Sequence, residues 1–247
     1  MIKRYNTVCV DNFLSEPNLF RKFGLSLSKV KDDNGQWPGY RSQPLFEIDK
    51  DLHNLICLKV LSCYYDLRHV DIFWDEATLM FQSISSFSNK KDSLLNQGWI
   101  HKDHNQQLAA ILYLTPDADL DSGTSLFDIK PGQKNKFLDY GVQSEKQAFY
   151  KDEKVIEKNY IKAINNNNNK FIEKTRFQNV YNRLIAYDAN EYHRANNFYT
   201  GKKSKDRLTL AIFINGIKSN KTLAPLERIN DKENFDDLIK YRIEYLK

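Results

Sequence analysis

The sequence predicts an α+β fold that is mainly β, an antiparallel barrel or sandwich with N-terminal helices packed on one side. Two patterns carry this. Apolar residues recur at helical spacing only in the first part of the chain, to about residue 75. From Ala77 onward they fall into short runs separated by turn residues, the pattern of successive antiparallel strands. The 247 residues suffice for one such domain with a substantial core, so a single domain over 1–247 is expected.

Taken in order, NTVCVDNFL (6–14) reads as a short strand and turn. Ser15 has the side chain to cap a helix, and Glu16 and Pro17 suit its first turn. That helix is expected to run to about Lys31, where Asp32-Asp33-Asn34-Gly35 breaks it. WPGYRSQP (37–44) reads as a loop turning at Pro38-Gly39. Leu52, Leu55, Ile56, Leu58 and Leu61 place an amphipathic helix over 51–65. Strands are expected at 77–87, 98–103, 106–114, 123–129, 182–190, 192–195 and 206–216. The stretch 131–175 interrupts them. It is polar, rich in Lys and Glu, and its Asn165–Asn169 run offers no apolar area to bury, so that run reads as a mobile loop with helix on its flanks. Lying between two sets of strands, 131–175 reads equally as a substrate lid or a tolerated surface insertion. The plan is thus a helical layer over about 1–75, strands over about 77–130 and 176–216, and a charged tail over 217–247.

Composition narrows the class. At 41% hydrophobic and 13% aromatic the chain is not wholly disordered. Its net charge of +5 is scattered among 32 acidic residues, with no compact basic run and no aromatic–basic interleaving, so nucleic acid is not a favoured partner. Cys9, Cys57 and Cys63 sit in apolar surroundings without framework spacing, which fits buried thiols in a reducing compartment. No stretch approaches the roughly 18 apolar residues of a membrane span, and the N-terminus has no signal-peptide pattern. A cytoplasmic protein without a membrane partner is expected.

The chemistry concentrates in GWIHKDHNQQLAAILYL (98–114). Trp99, His101 and Asp103 occupy alternate positions, which in an extended strand share one face. An imidazole and a carboxylate so placed supply two corners of a 2-His-1-carboxylate metal site. His193 in NRLIAYDANEYHRANNF is the best candidate for the third. His104 has the opposite parity; His53 and His69 belong to the helical layer. Downstream, Arg207 and Thr209 share a face of the strand RLTLAIFI. A guanidinium at the mouth of an apolar barrel suits bidentate capture of a carboxylate, with a hydroxyl beside it. Tyr113 can add a phenolic donor. Alone, Arg207 would be a strand-end charge and Tyr113 core packing; the His/Asp/His set favours the anion reading. Zinc suits the same ligands, and a barrel that binds metal without redox chemistry is a further alternative.

These residues resemble the Fe(II)- and 2-oxoglutarate-dependent dioxygenases of the double-stranded β-helix (jelly-roll, cupin-like) fold, in particular the prolyl-hydroxylase-like branch. The resemblance runs through VDNFLSEP, WPGYRS, WIHKDH…LAAILYLTP, SGTSLF, NRLIAYDANEYHRA and DRLTLAIFING, most of the chain outside 131–175. It implies that His101, Asp103 and His193 hold Fe(II). It implies that Arg207 and Thr209 hold the distal carboxylate of 2-oxoglutarate, assisted by Tyr113. Some members use a lysine that would correspond to Lys203. Where the family often has Gly-Gly-Thr, this chain has Ser122-Gly123-Thr124. Trp99 and Thr124 are pocket candidates. The implied reaction consumes O2, releases succinate and CO2, and hydroxylates a C–H bond of a protein side chain, amino acid or small molecule. A nucleic-acid-modifying member of the same superfamily is the alternative within the resemblance.

Overall fold

A computed structural model describes residues 5–103, 105–133, 140–151, 156–200 and 206–220. The N-terminal part contains β1 (Val8–Val10), α1 (Pro17–Ser26), β2 (Lys29–Lys31), β3 (Tyr40–Ser42), α2 (Leu45–Ile48), α3 (Lys50–Leu61) and β4 (Ile72–Phe73). It is therefore not purely helical. Helix α1 starts at Pro17 after Glu16, not after a Ser15 cap, and stops before Lys31. The chain turns extended at Leu27, and Lys29 Nζ reaches back to the carbonyls of Gly24 (2.6 Å) and Leu27 (3.1 Å), capping the helix end. Lys29–Lys31 then pairs antiparallel with β3. The expected 37–44 loop likewise ends in a strand, because Gly39 takes a left-handed φ of 70° that turns Tyr40–Ser42 onto the sheet.

The later elements are β5 (Glu76–Ser85), β6 (Leu108–Tyr113), β7 (Thr124–Ile129), α4 (Tyr140–Tyr150), α5 (Glu157–Asn168), β8 (Phe171–Phe177), β9 (Leu184–Asp188), β10 (Tyr192–Ala195), β11 (Asp206–Asn215) and β12 (Lys218–Ser219). A seven-stranded antiparallel sheet runs β1-β9-β6-β11-β5-β3-β2, and a three-stranded sheet runs β10-β7-β8. The 98–103 segment is less regular than expected: only His101 forms a bridge, to His193, which makes this segment the outer neighbour of β10. From β5 to β11 the chain thus passes between the two sheets as a jelly roll, the double-stranded β-helix.

Both faces of the large sheet are covered, so its central strands read as continuous apolar runs. Period 2 sorts them. Leu108, Ala110, Leu112, Leu208, Leu210 and Ile212 pack with Phe20, Ile56, Val60 and Leu61 of the helices. Ala109, Tyr113, Ile185 and Tyr187 point the other way, toward Leu126 of the small sheet. The helices therefore brace one face while the other is left to enclose a cavity.

Three further readings are corrected. The Asn165–Asn169 run is not a loop but begins as the last turn of α5, and β8 starts before residue 176. Tyr160, Ile164 and Asn167 are buried at helical spacing, so an asparagine takes a place on the helix's inner face. Of the three cysteines only Cys57 is buried; Cys9 is exposed, at the outward position of the sheet-edge strand β1, and Cys63 is half-buried.

Gly98 lies with its Cα directly against the carbonyl of Ala195 in β10, where any Cβ would meet backbone. Gly98→Ala must push the metal-candidate segment off β10. A loss of about 1–3 kcal/mol in urea unfolding is expected, and an unchanged midpoint would show that the contact yields freely.

Candidate metal centre

His101 and His193 each donate the backbone N–H to the other's carbonyl, at 3.0 and 2.9 Å. A reciprocally bonded antiparallel pair directs both side chains to one face, and the two rings lie 4.4 Å apart. Asp103, two positions on, brings its carboxylate to the same place. Its Oδ1 is 3.8 Å from His101 Nε2 and its Oδ2 3.3 Å from His193 Nε2. One donor atom from each of the three residues lies within 4.8 Å of the others.

The tautomers follow from the hydrogen bonds. His101 Nδ1 faces the Trp99 carbonyl at 2.8 Å, and His193 Nδ1 faces the Glu191 carbonyl at 3.0 Å. A carbonyl only accepts, so each Nδ1 carries the proton and each Nε2 keeps its lone pair toward Asp103. Burial holds the His101 imidazole well below its ordinary pKa, with His193, Lys146 and Arg41 adding to the effect. Burial also lowers that of His193, partly offset by Asp103. The neutral rings cannot balance the carboxylate, and Asp103 Oδ2 is buried without a hydrogen-bond partner among the described residues. Two lone pairs and an orphaned carboxylate oxygen converge, an arrangement that a divalent cation satisfies.

Among the described residues, the segment carrying His101 has a strand on one side only. Gly98 N donates to Ala195 O at 3.1 Å. On its other side the amides of α5 stand in for a strand. Asn168 Oδ1 accepts from Ile100 N at 3.0 Å, and its Nδ2 donates to Gly98 O at 3.0 Å. Asn167 Nδ2 donates to Ile100 O at 3.0 Å. Trp99 is 2% exposed and donates its indole N–H to Tyr160 Oη at 2.9 Å, while also bordering the cavity. The asparagine run is thus part of the site's support.

A cavity of about 320 Å³ opens between the sheets beside the triad. Arg207, Thr209 and Thr124 line it. Arg207 is 4% exposed; its Nε donates to Ser122 O at 2.9 Å, and its guanidinium lies 5.5 Å from the centre of the Tyr113 ring. Burial lowers its pKa, opposed by Tyr113. Tyr113 itself does not line the cavity. Its hydroxyl donates to Thr124 Oγ1 at 2.9 Å, so the structure brings it to the wall behind the site. Lys203 and His104 lie outside the described residues. His53 is buried in α3, its Nε2 3.2 Å from Ala77 O, apart from the triad. Arg41, Trp37 and Lys146 also border the cavity and were not anticipated. Only the WPGYRS stretch hinted at the first two, and nothing distinguished Lys146 from the other lysines around it.

Residues 2–214 match the model of a family described as "Family of unknown function (DUF6445)". The chain belongs to that family. No curated protein matches the sequence. Among solved structures, this member is similar to HygX from Streptomyces hygroscopicus with nickel and 2-oxoglutarate bound, at 11% identity and a TM-score of 0.48, over 86% of this chain and 84% of that one. It is also similar to a prolyl hydroxylase from Trichoplax adhaerens in complex with a hypoxia inducible factor peptide fragment, at 11% identity and a TM-score of 0.46, over 85% and 83%. A Pseudomonas putida prolyl-4-hydroxylase matches at 9% identity and a TM-score of 0.40, over 85% and 91%.

Two measurements probe the centre. His101→Ala and Asp103→Ala should each abolish binding of a divalent metal, titrated as Mn(II); wild-type affinity in both variants would place the site elsewhere. Asn168→Leu keeps the side-chain size but strands Ile100 N–H and Gly98 C=O. It should lower stability by about 1–3 kcal/mol and weaken Mn(II) binding with all three ligands intact. Thermal unfolding and an electron-spin-resonance titration read the two effects.

Proposed function

We propose that this member of the DUF6445 family is a non-haem Fe(II)- and 2-oxoglutarate-dependent dioxygenase that hydroxylates a C–H bond of its substrate. The observation that carries this is a pair of poles in one cavity. At one pole Asp103 Oδ2 is buried and unpartnered beside two imidazole lone pairs. At the other, the buried guanidinium of Arg207 pairs with no carboxylate among the described residues. A small dicarboxylate bound to a metal at its 2-oxoacid end suits both.

In this reading His101, Asp103 and His193 hold the iron, with the Trp99 and Glu191 carbonyls fixing ring orientation. Arg207 neutralises the distal carboxylate, Thr209 adds a hydroxyl hydrogen bond, and Tyr113 holds Thr124 in place through its hydroxyl. Ile84, the direct cross-strand neighbour of Arg207 on β5, is buried, lines the cavity and keeps water from that end. Bound there, Fe(II) and 2-oxoglutarate would supply the activation of O2, with succinate and CO2 as the co-products.

Arg207 provides the test. Arg207→Ala should weaken 2-oxoglutarate binding by about 30-fold or more, the loss of a charge-assisted contact of roughly 2–5 kcal/mol. Arg207→Lys should rescue part of it, since a point charge cannot reproduce the fork. Fe(II) affinity should hardly change. Anaerobic titration of the Fe(II) protein, followed by the metal-to-ligand charge-transfer absorption, reads cosubstrate binding. No such band in the wild type would favour a metal-binding module without this chemistry; a normal band in Arg207→Ala would move the anchor, with Lys203 next.

A further inference from the structure

Among the described residues, the cavity is lined by three permanent cation formers, Arg41, Lys146 and Arg207, against one carboxylate, Asp103. Two of the cations have no task in the reading above. Strand register says where Arg41 stands. Tyr113, Thr209, Gln82 and Arg41 are direct cross-strand neighbours on β6, β11, β5 and β3, so they form one row on the cavity face. Two strand spacings separate Arg41 from Thr209, roughly 10 Å. Arg41 therefore marks a second region of the cavity, apart from the Arg207 end.

That region is built, and its donors lack acceptors. The Arg41 guanidinium lies over the Trp37 ring at 4.4 Å, and its Nη2 donates to Gln82 Oε1 at 3.3 Å. Gln82 is in turn fixed by donation to Pro38 O at 2.7 Å. Arg41 Nε and Trp37 Nε1 are both buried with no hydrogen-bond partner among the described residues. Lys146 comes from α4, with its ammonium 5.8 Å from the centre of the Tyr150 ring, and it forms no ion pair with a described carboxylate. Gly35, at a left-handed φ of 64°, packs directly on the backbone of Gln147, which ties the loop before Trp37 to the turn of α4 that carries Lys146. Burial pulls the Lys146 pKa down to about 8 and that of Arg41 to about 10, each opposed by Asp103. Both stay charged at neutral pH. Asp32 also acts on Arg41; its carboxylate accepts from Gln36 N and does not line the cavity, so it offsets part of the Arg41 charge from behind the wall.

Charge balance completes the case. Imidazoles that ligate a metal are neutral, so the wall then carries three positive charges and one negative. A divalent cation and a dianionic cosubstrate cancel each other, so the excess on Arg41 and Lys146 persists when both are bound. A buried positive excess with vacant donors needs an anion. We propose that the substrate to be oxidised is a small acid whose carboxylate or phosphate docks on Arg41, Lys146 and the indole N–H of Trp37. This rests on the oxygenase reading for the reaction, but the anion site stands on its own contacts.

The test uses the full chain with Fe(II) and saturating 2-oxoglutarate under anaerobic conditions, which occupies Arg207. Inorganic phosphate and acetate are titrated as probes, followed by tryptophan fluorescence. Saturable binding is expected, weakened about tenfold or more in Arg41→Gln and in Lys146→Gln, and partly retained in Arg41→Lys. Preference for one probe tells phosphate from carboxylate substrates. Affinity for 2-oxoglutarate, read by the charge-transfer band, should stay within about threefold in both Gln variants. The proposal is overturned if neither anion binds saturably, or if both Gln variants bind them as wild type does. It is also overturned if the variants lose 2-oxoglutarate instead, which would make these cations part of the cosubstrate site. A wild type that binds the probes but shows no charge-transfer band would sink the oxygenase reading and leave the anion site standing.

Discussion

The site depends on one backbone pairing. His101 and His193 come from opposite ends of the β segment of the chain, and a single reciprocal pair of hydrogen bonds sets their rings side by side. Because the side-chain period of a strand is two, slipping this register by one residue would turn the His101 ring to the face opposite His193. Asp103 follows by the same parity and is anchored by its own backbone N–H, which donates to Ala189 O at 3.2 Å. What keeps the register is distributed. Gly98 allows the segment to lie flush on β10, and Asn167 and Asn168 satisfy the edge that lacks a strand. Side-chain amides do this well, because each offers a donor and an acceptor with the spacing of a peptide group.

The large sheet solves a second problem. A cavity beside a metal needs walls that do not collapse, and a strand pair alone has little stiffness. Here the face away from the cavity carries the larger core, where α1 and α3 pack on alternate residues of β6 and β11. The cavity face can then hold residues that fit poorly in a core, among them Arg207, Thr209 and Gln82. The stability of one face underwrites the chemistry of the other, and a single strand such as β11 serves both through its alternation.

What was legible in the sequence divides along the range of the interaction. The period of β10 and β11 was readable because alternation is local; Tyr192–Ala195 has the bounds its sequence suggests. The parity of His101 and Asp103 was readable for the same reason. Short strands such as Lys29–Lys31 and Tyr40–Ser42 were not, since three residues carry no pattern and become strand only by pairing with each other and with β5. The asparagine run misled because its polarity suggested solvent, whereas its position on the Tyr160–Ile164 face sends it inward to meet backbone groups. Arg41 and Lys146 were invisible as site residues, being far apart in sequence and ordinary in local context.

Electrostatics links the two ends of the cavity. The imidazoles are kept neutral chiefly by burial, and Lys146 adds its charge to that effect on both. The same cation that favours ligand-ready histidines also stands near Asp103, whose negative charge opposes the loss of the proton from Lys146. A metal on Asp103 would draw on that carboxylate and leave Lys146 and Arg41 less well balanced than before. Filling the metal centre therefore raises the demand for an anion at the other end of the wall, by simple Coulomb coupling across a short, poorly solvated distance. The coupling is reciprocal: an acid docked on Arg41 and Lys146 would in turn relieve the positive field at the centre and favour the cation there. Each site thus favours occupancy of the other by charge alone, with no need for either to change shape.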